Sequence, residues 1–335
     1  MTKPRILLVA TGGTIASAED GNGLTPQLTG EQLAGYVPQA AELADIDIVQ
    51  PMNIDSTNMR PADWQAIGDA ILARYEDYDG FVVLHGTDTM AYTAAALSYL
   101  IQDSPRPIVL TGSQQPMGSP FTDARINLYQ SVLYAADPAS RDVTVVFGGK
   151  VVAGTRARKQ RTMSFNAFTS VNYPELALIR NDRIIRTAPA GAETGRGAAE
   201  PRVYHDLDER VFVLKLTPEV NPSVFELLRR DYDAIILETF GIGGIPDTLH
   251  DAIFGWVDSG RTLVVTTQVP EEGLDLGVYE VGRAYAEHPG ILKGADMTCE
   301  ALVAKTMWAL GQTREPARLR DLFYEPINCD RLPEA

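Results

Sequence analysis

Hydroxyls, glycines and one carboxylate gather at two places in this chain. The first is Thr11-Gly12-Gly13-Thr14 and the second is His85-Gly86-Thr87-Asp88-Thr89. Residues of these types can build a hydroxyl nucleophile's setting: a tight turn, backbone N–H groups laid open by glycine, and a nearby group to take a proton. Each string follows a short apolar run, Ile6–Ala10 in one case and Phe81–Leu84 in the other. Such runs read as buried parallel strands, and ligands of open α/β sheets bind just beyond the carboxyl ends of the strands. Two such ends can meet over one pocket. Taken alone, the first string equally fits an ordinary turn with Thr14 as a helix cap. Asp88 or Thr89 can cap the helix that starts at Met90, a role compatible with function.

Lysine is scarce, and Lys159 falls in the basic stretch Thr155-Arg156-Ala157-Arg158-Lys159-Gln160-Arg161-Thr162, read as a loop after the fifth strand. A lysine crowded by cations or desolvated can serve as a base. The residues alone fit an exposed basic loop as well. Gly112-Ser113-Gln114 follows the fourth strand and either lines the pocket or forms a plain turn. The four histidines, His85, His205, His250 and His288, show no metal-ligand spacing, and no G-x-S-x-G elbow is present. The two cysteines, Cys299 and Cys329, make neither a disulfide framework nor a four-ligand zinc site, and Cys299 reads as buried packing. Gly241-Ile242-Gly243-Gly244 lacks a phosphate-facing lysine and reads as a tight strand-to-helix turn. No zinc or iron centre is expected.

The elements that must hold these groups alternate along the chain. Strands are expected at Ile6–Ala10, Asp45–Val49, Phe81–Leu84, Ile108–Thr111 and Val143–Phe147. Helices are expected after Pro61, where Trp64, Ile67, Ile71 and Leu72 share a face, over Met90–Ile101 and over Ala124–Ala135. This rhythm predicts an α/β fold with a doubly wound parallel sheet in an N-terminal domain, residues 1–187. A Gly/Ala/Pro-rich stretch marks a linker, 188–208. A smaller α/β domain, 209–335, then carries strands at Val211–Leu216, Ala234–Leu237 and Leu263–Val265 and a helix at Cys299–Leu310.

The 335 residues are 45% hydrophobic, enough for a large core, and carry a net charge of -15, which argues against nucleic acid or an anionic membrane as partner. No signal peptide and no apolar run of membrane-spanning length are evident, so the cytoplasm is the expected location.

Together the motifs resemble the bacterial-type L-asparaginases, in particular the cytoplasmic type I branch. The resemblance rests on Ala10-Thr11-Gly12-Gly13-Thr14-Ile15-Ala16-Ser17, Asp55-Ser56-Thr57-Asn58-Met59 and Leu84-His85-Gly86-Thr87-Asp88-Thr89-Met90-Ala91-Tyr92. Thr111-Gly112-Ser113-Gln114, Asp123, Asn127-Leu128 and Gly294-Ala295-Asp296-Met297-Thr298 extend it over about residues 5–325.

The resemblance implies hydrolysis of L-asparagine to L-aspartate and ammonia through a covalent threonine ester, without a cofactor. It makes Thr14 the nucleophile, and Thr87, Asp88 and Lys159 a second hydroxyl–acid–lysine group. Asp55, Ser56 and Thr57 become the segment that holds the substrate's α-carboxylate, and Asp88 a partner of its α-ammonium. It also implies a homodimer or homotetramer. Leu24 stands where the family's mobile loop usually carries a tyrosine, which leaves Thr25, or Lys159 acting through Thr87, to activate Thr14. Thr57 stands where broad-specificity members tend to carry Gln, a lean toward asparagine over glutamine. Two other functions compete for the same motifs. The amidase component of a tRNA-dependent amidotransferase would need an added N-terminal domain, for which the strand at Ile6 leaves no room. A non-catalytic amino-acid sensor would be expected to lose Thr14 or Lys159, and both are present.

Overall fold

A computed structural model describes residues 3–13, 15, 17–19, 24–26, 32, 35–187, 200–277 and 280–332. Thr14, the expected nucleophile, lies outside the described residues, as do 188–199 of the expected linker. The chain divides into two compact units, Met1–His205 with Ile327–Cys329, and Asp206–Pro326 with Asp330–Ala335.

The first unit is built on an eight-stranded sheet. Its order is Arg183–Arg186, Ala177–Arg180, Lys150–Ala153, Val143–Phe147, Ile108–Thr111, Gly80–Leu84, Arg5–Ala10 and Asp45–Val49. The five strands from Val143–Phe147 to Asp45–Val49 run parallel, and the other three extend one edge in antiparallel fashion. Strands buried on both faces read as near-continuous apolar runs, and every residue of Gly80–Leu84, Ile108–Thr111 and Val143–Phe147 is buried, Thr111 and Thr144 included. Ile6, Leu8, Val82, Leu84 and Val109 share one core with Leu128 and Val132 of the helix Ala124–Ala135. Leu7, Val9, Phe81 and Val83, which point to the other face, are equally buried.

Pro61–Leu72 is a helix as its spacing predicts. Pro61 opens its first turn, Asp63 accepts from Arg60 N at 2.8 Å, and Trp64, Ile67 and Ile71 are buried. Each such side chain stabilises the fold by about 1.5–3 kcal/mol. The next helix, Met90–Leu100, ends one residue earlier than expected, because Ile101–Gln102 pairs antiparallel with Arg202–Val203. Part of the expected linker is therefore a strand of this unit, held also by Arg202 Nε on Asp103 at 2.9 Å. Ile327–Cys329, expected with the C-terminal domain, groups with this unit because its polar groups find partners here. Asn328 Nδ2 donates to Ser98 Oγ and Val143 O, both at 2.8 Å, and Thr155 Oγ1 donates to Asn328 O at 2.6 Å.

The second unit holds a four-stranded parallel sheet, Val211–Lys215, Ala234–Thr239, Thr262–Thr267 and Ile291–Lys293. The glycine-rich segment after Thr239 is a turn as expected, with Gly241 and Gly243 at φ of 51° and 137°, leading to the helix His250–Asp258. The helix Cys299–Gln312 is capped by Thr298, whose hydroxyl accepts from Ala301 N at 3.0 Å. Cys299 is only half-buried, at the first turn of that helix, while Cys329 is buried. Lys305 and Asp330, both fully buried, form an ion pair of 2.6 Å, and Lys305 Nζ also donates to Glu325 O at 2.7 Å. Among the described residues no helix is long and apolar enough to cross a membrane.

Candidate active site

Strand register lines up the ends that matter. Ala10 pairs with Leu84, and Leu84 with Thr111, so the chain leaves three neighbouring strands at one level. The turns that follow close on each other through glycine. Gly12 and Gly13 have φ of 107° and 79°, a region that favours glycine. Gly13 N donates to Ile54 O at 3.0 Å and Thr11 N to Leu84 O at 3.0 Å. A Cβ on Gly13 would lie 2.3 Å from Gly86 Cα, and one on Gly86 would lie 2.5 Å from Ser56 Oγ. Both glycines are needed because neighbouring atoms occupy the space a side chain would take.

Asp55, Ser56 and Thr57 form the third wall. Asp55 Oδ1 accepts from both Thr57 N and Thr57 Oγ1 at 2.9 Å, organising a single helical turn over Ser56–Asn58. Asp55 Oδ1 is thus engaged by its own turn, and Ser56, buried, is the residue that faces Gly86.

The helix-capping role open to Asp88 and Thr89 is not realised. Thr89 stands at the N-cap of Met90–Leu100 without a side-chain capping bond, and its hydroxyl donates to Ser56 O at 2.8 Å. The Asp88 carboxylate goes instead to Lys159, whose Nζ lies 2.6 Å from Asp88 Oδ1 and 2.7 Å from Thr87 Oγ1. Lys159 does not lie in a loop. It ends the strand Ala157–Lys159, which pairs antiparallel with Phe168–Ser170, with Lys159 opposite Phe168. The pairing fixes its backbone, and only 18% of its side chain is exposed, against 58% for Asp88. The basic stretch around it is divided: Arg156 is fully buried, with Nε on Cys329 O, while Gln160, Arg161 and Thr162 after the strand are exposed.

Gln114 is the member whose role the sequence leaves open between pocket lining and a plain turn. Its Oε1 accepts from Thr87 Oγ1 at 3.2 Å, so the Thr87 hydroxyl accepts from Lys159 and donates to Gln114. Asp123 holds that turn by accepting from Gln114 N at 3.0 Å and Gln115 N at 3.1 Å, and Asn127 Nδ2 binds Asp123 Oδ2 at 3.1 Å. The signal is an acid and an amide four residues apart at a helix start, just after a strand-end Gly-Ser-Gln. Leu24 and Thr25 belong to a short strand, Leu24–Pro26, paired antiparallel with Ser17–Glu19, in the stretch that the resemblance matches to the family's mobile loop. Among the described residues no group of three or more His, Cys, Asp or Glu is arranged to hold a metal ion.

A hydroxyl, a carboxylate and a lysine in mutual contact beside a glycine-lined turn fit amide hydrolysis, and comparison with known proteins agrees. Residues 5–190 match the family described as Asparaginase, N-terminal, and residues 210–323 match the Glutaminase/Asparaginase C-terminal domain. The chain belongs to the asparaginase family. It is 39% identical to the L-asparaginase of Thermococcus kodakarensis, over 96% of this chain and 98% of that one. It is 34% identical to L-asparaginase 1 of Escherichia coli over the whole of both. The solved structure of the thermostable T. kodakarensis enzyme superposes with a TM-score of 0.89, covering 98% of this chain and 100% of the other. L-asparaginase I of Vibrio cholerae does so with a TM-score of 0.87 at 30% identity, covering 99% of this chain and 100% of the other. A component of the glutamyl-tRNA(Gln) amidotransferase of Aeropyrum pernix is 35% identical, over 95% of this chain and 77% of that one.

Proposed function

We propose that this protein hydrolyses L-asparagine to L-aspartate and ammonia through an ester on Thr14. The observation that carries the reading is the contact of Lys159 with the Thr87 hydroxyl and the Asp88 carboxylate, in a chain of the asparaginase family. The Thr14 hydroxyl oxygen attacks the side-chain carbonyl carbon. Backbone N–H groups of the facing turns receive the developing oxyanion. The C–N bond breaks, and the nitrogen leaves as ammonia with the proton from the nucleophile. Water then attacks the ester, releasing L-aspartate and restoring the hydroxyl.

The fixed charges of the substrate give it one orientation. Asp88, more than half exposed, can receive the α-ammonium beside Lys159. Ser56, on the turn held by Asp55, supplies a hydroxyl donor for the α-carboxylate, and Thr57, whose N–H and hydroxyl both donate to Asp55, keeps that turn in place. Lys159 must lose a proton before it can take one through Thr87. This route to Thr14 does not use the tyrosine that Leu24 replaces. Thr57 in place of a glutamine favours L-asparagine over L-glutamine. The resemblance also supports a cytoplasmic homodimer or homotetramer, and the solved Campylobacter jejuni relative is described as a probable cytoplasmic L-asparaginase.

A component of an amidotransferase is the second reading, favoured by the similarity to the A. pernix protein. Full-length coverage of the L-asparaginases weighs toward the first. Ammonia release by the purified protein from L-asparagine, L-glutamine and D-asparagine separates them. Fast turnover of free L-asparagine with little of L-glutamine supports the proposal. No release from free L-asparagine overturns it.

A further inference from the structure

We propose that His85 is a positioning residue for this reaction: its imidazole clamps the Gly86–Thr87 peptide so that the Thr87 N–H is aimed away from the core as a donor to the developing oxyanion. The proposal rests on the reading of the Thr87 turn as part of an amide-hydrolysing site.

His85 is fully buried at the end of Gly80–Leu84, and both ring nitrogens are occupied. Nδ1 lies 2.7 Å from Gly86 O, the carbonyl of the next residue, and Nε2 lies 2.9 Å from the hydroxyl of Thr93 on the helix Met90–Leu100. A carbonyl only accepts, so Nδ1 carries the proton. In the neutral ring Nε2 is then an acceptor, and the Thr93 hydroxyl donates to it. Burial disfavours the imidazolium and pushes the pKa down to about 4, so one neutral tautomer serves at neutral pH.

The clamp answers a need created by packing. Gly86 must be glycine, since a Cβ would lie 2.5 Å from Ser56 Oγ and 3.1 Å from Gly13 Cα. Glycine leaves the peptide at the centre of the site without the restraint a side chain provides. The bond from His85 supplies it. The peptide is trans, so Gly86 C=O and Thr87 N–H point in opposite directions. Fixing the carbonyl against the buried ring turns the N–H outward. His85 N donates to Thr111 O at 2.8 Å and a Cβ on Gly112 would lie 2.2 Å from His85 O, so the ring's own backbone is held on both sides.

Two substitutions separate the two nitrogens. The side-chain amide of His85→Asn can stand where Nδ1 stands and still donate to Gly86 O, whereas His85→Gln reaches the Nε2 position and leaves that carbonyl without its donor. The expected result is that His85→Gln lowers kcat on L-asparagine by about 10- to 100-fold with KM little changed, while His85→Asn stays within about fivefold of the parent. Equal losses in the two variants, following their melting temperatures, would mean a purely structural histidine and would overturn the proposal. Imidazole nitrogen NMR of the unsubstituted protein at pH 7 needs no variant at His85, the other three histidines being assigned by substitution. It should show His85 neutral with the proton on Nδ1, and a proton on Nε2 overturns the proposal even if neither variant folds. A parent protein that releases no ammonia from L-asparagine removes the function reading itself. An active parent with equal variant losses removes only the role of His85.

Discussion

Replacing Lys159 by Met tests the site where structure and chemistry make opposite demands on magnitude. Methionine keeps the length and most of the volume of the side chain but removes the ammonium. Two bonds are lost, 2.6 Å to Asp88 and 2.7 Å to Thr87. The Asp88 side chain is 58% exposed, so water replaces the lost cation, and the Thr87 hydroxyl keeps Gln114 as a partner. A pair screened in this way contributes within about 1 kcal/mol of stability. The strand pairing of Ala157–Lys159 with Phe168–Ser170 does not depend on the charge. Catalysis is different, because a group that moves a proton in the transition state contributes about 10²- to 10⁴-fold. That corresponds to about 3–5 kcal/mol of barrier. Lys159→Met should therefore unfold within a few degrees of the parent and lose at least about a hundredfold in kcat. Ammonia release and a thermal melt on the same preparation measure both. A kcat within tenfold of the parent would refute the role of Lys159. A large fall in melting temperature would show that its contacts hold the fold instead.

Gly13→Ala forces a Cβ to within 2.3 Å of Gly86 at a φ of 79°, so backbone must move at the centre of the site; turnover should fall by more than about tenfold with a stability loss of about 1–3 kcal/mol, and an active, stable variant contradicts the packing. His85 binds its proton at about pH 4 when folded and near 6.5 when unfolded. Between these values the unfolded chain holds more protons, so this group's contribution is full above pH 6.5 and falls by about 3 kcal/mol on acidification to pH 4. Urea midpoints of the parent should drop more steeply over that window than those of His85→Asn, and parallel curves exclude the effect. Lys305→Met leaves the Asp330 charge buried and should cost about 3–5 kcal/mol, whereas Lys305→Met with Asp330→Leu should recover most of it; a double variant as unstable as the single one contradicts this account of the pair.

The parallel core was legible because burial on both faces favours near-continuous apolar strands, and Ile6–Ala10, Phe81–Leu84 and Ile108–Thr111 supply them. The turn residues of the site were legible for a related reason: glycine at a close approach has no substitute, so Gly12, Gly13 and Gly86 mark the places where the turns meet. The antiparallel edge was not. Arg183–Arg186 at that edge, and likewise Ala157–Lys159 in its separate two-stranded ribbon, are rich in arginine and lysine and carry no apolar alternation that separates a strand from a loop. Their order comes from antiparallel pairing with neighbouring segments, Ala177–Arg180 and Phe168–Ser170, rather than from a pattern of their own. Lys159 was hidden for another reason, since its contacts with Thr87 and Asp88 span more than seventy positions. Asp88 and Thr89 look like caps because cap residues and site residues share one chemistry. Only the partners, Lys159 for one and Ser56 O for the other, distinguish the two roles.

A covalent ester on Thr14 can be trapped by acid-quenching the protein during turnover of L-asparagine and mapping the adduct by peptide mass spectrometry. An aspartyl ester is expected on the peptide that carries Thr14, absent from the Thr14→Ala variant. An adduct on Thr87, or steady turnover by Thr14→Ala, would contradict that expectation.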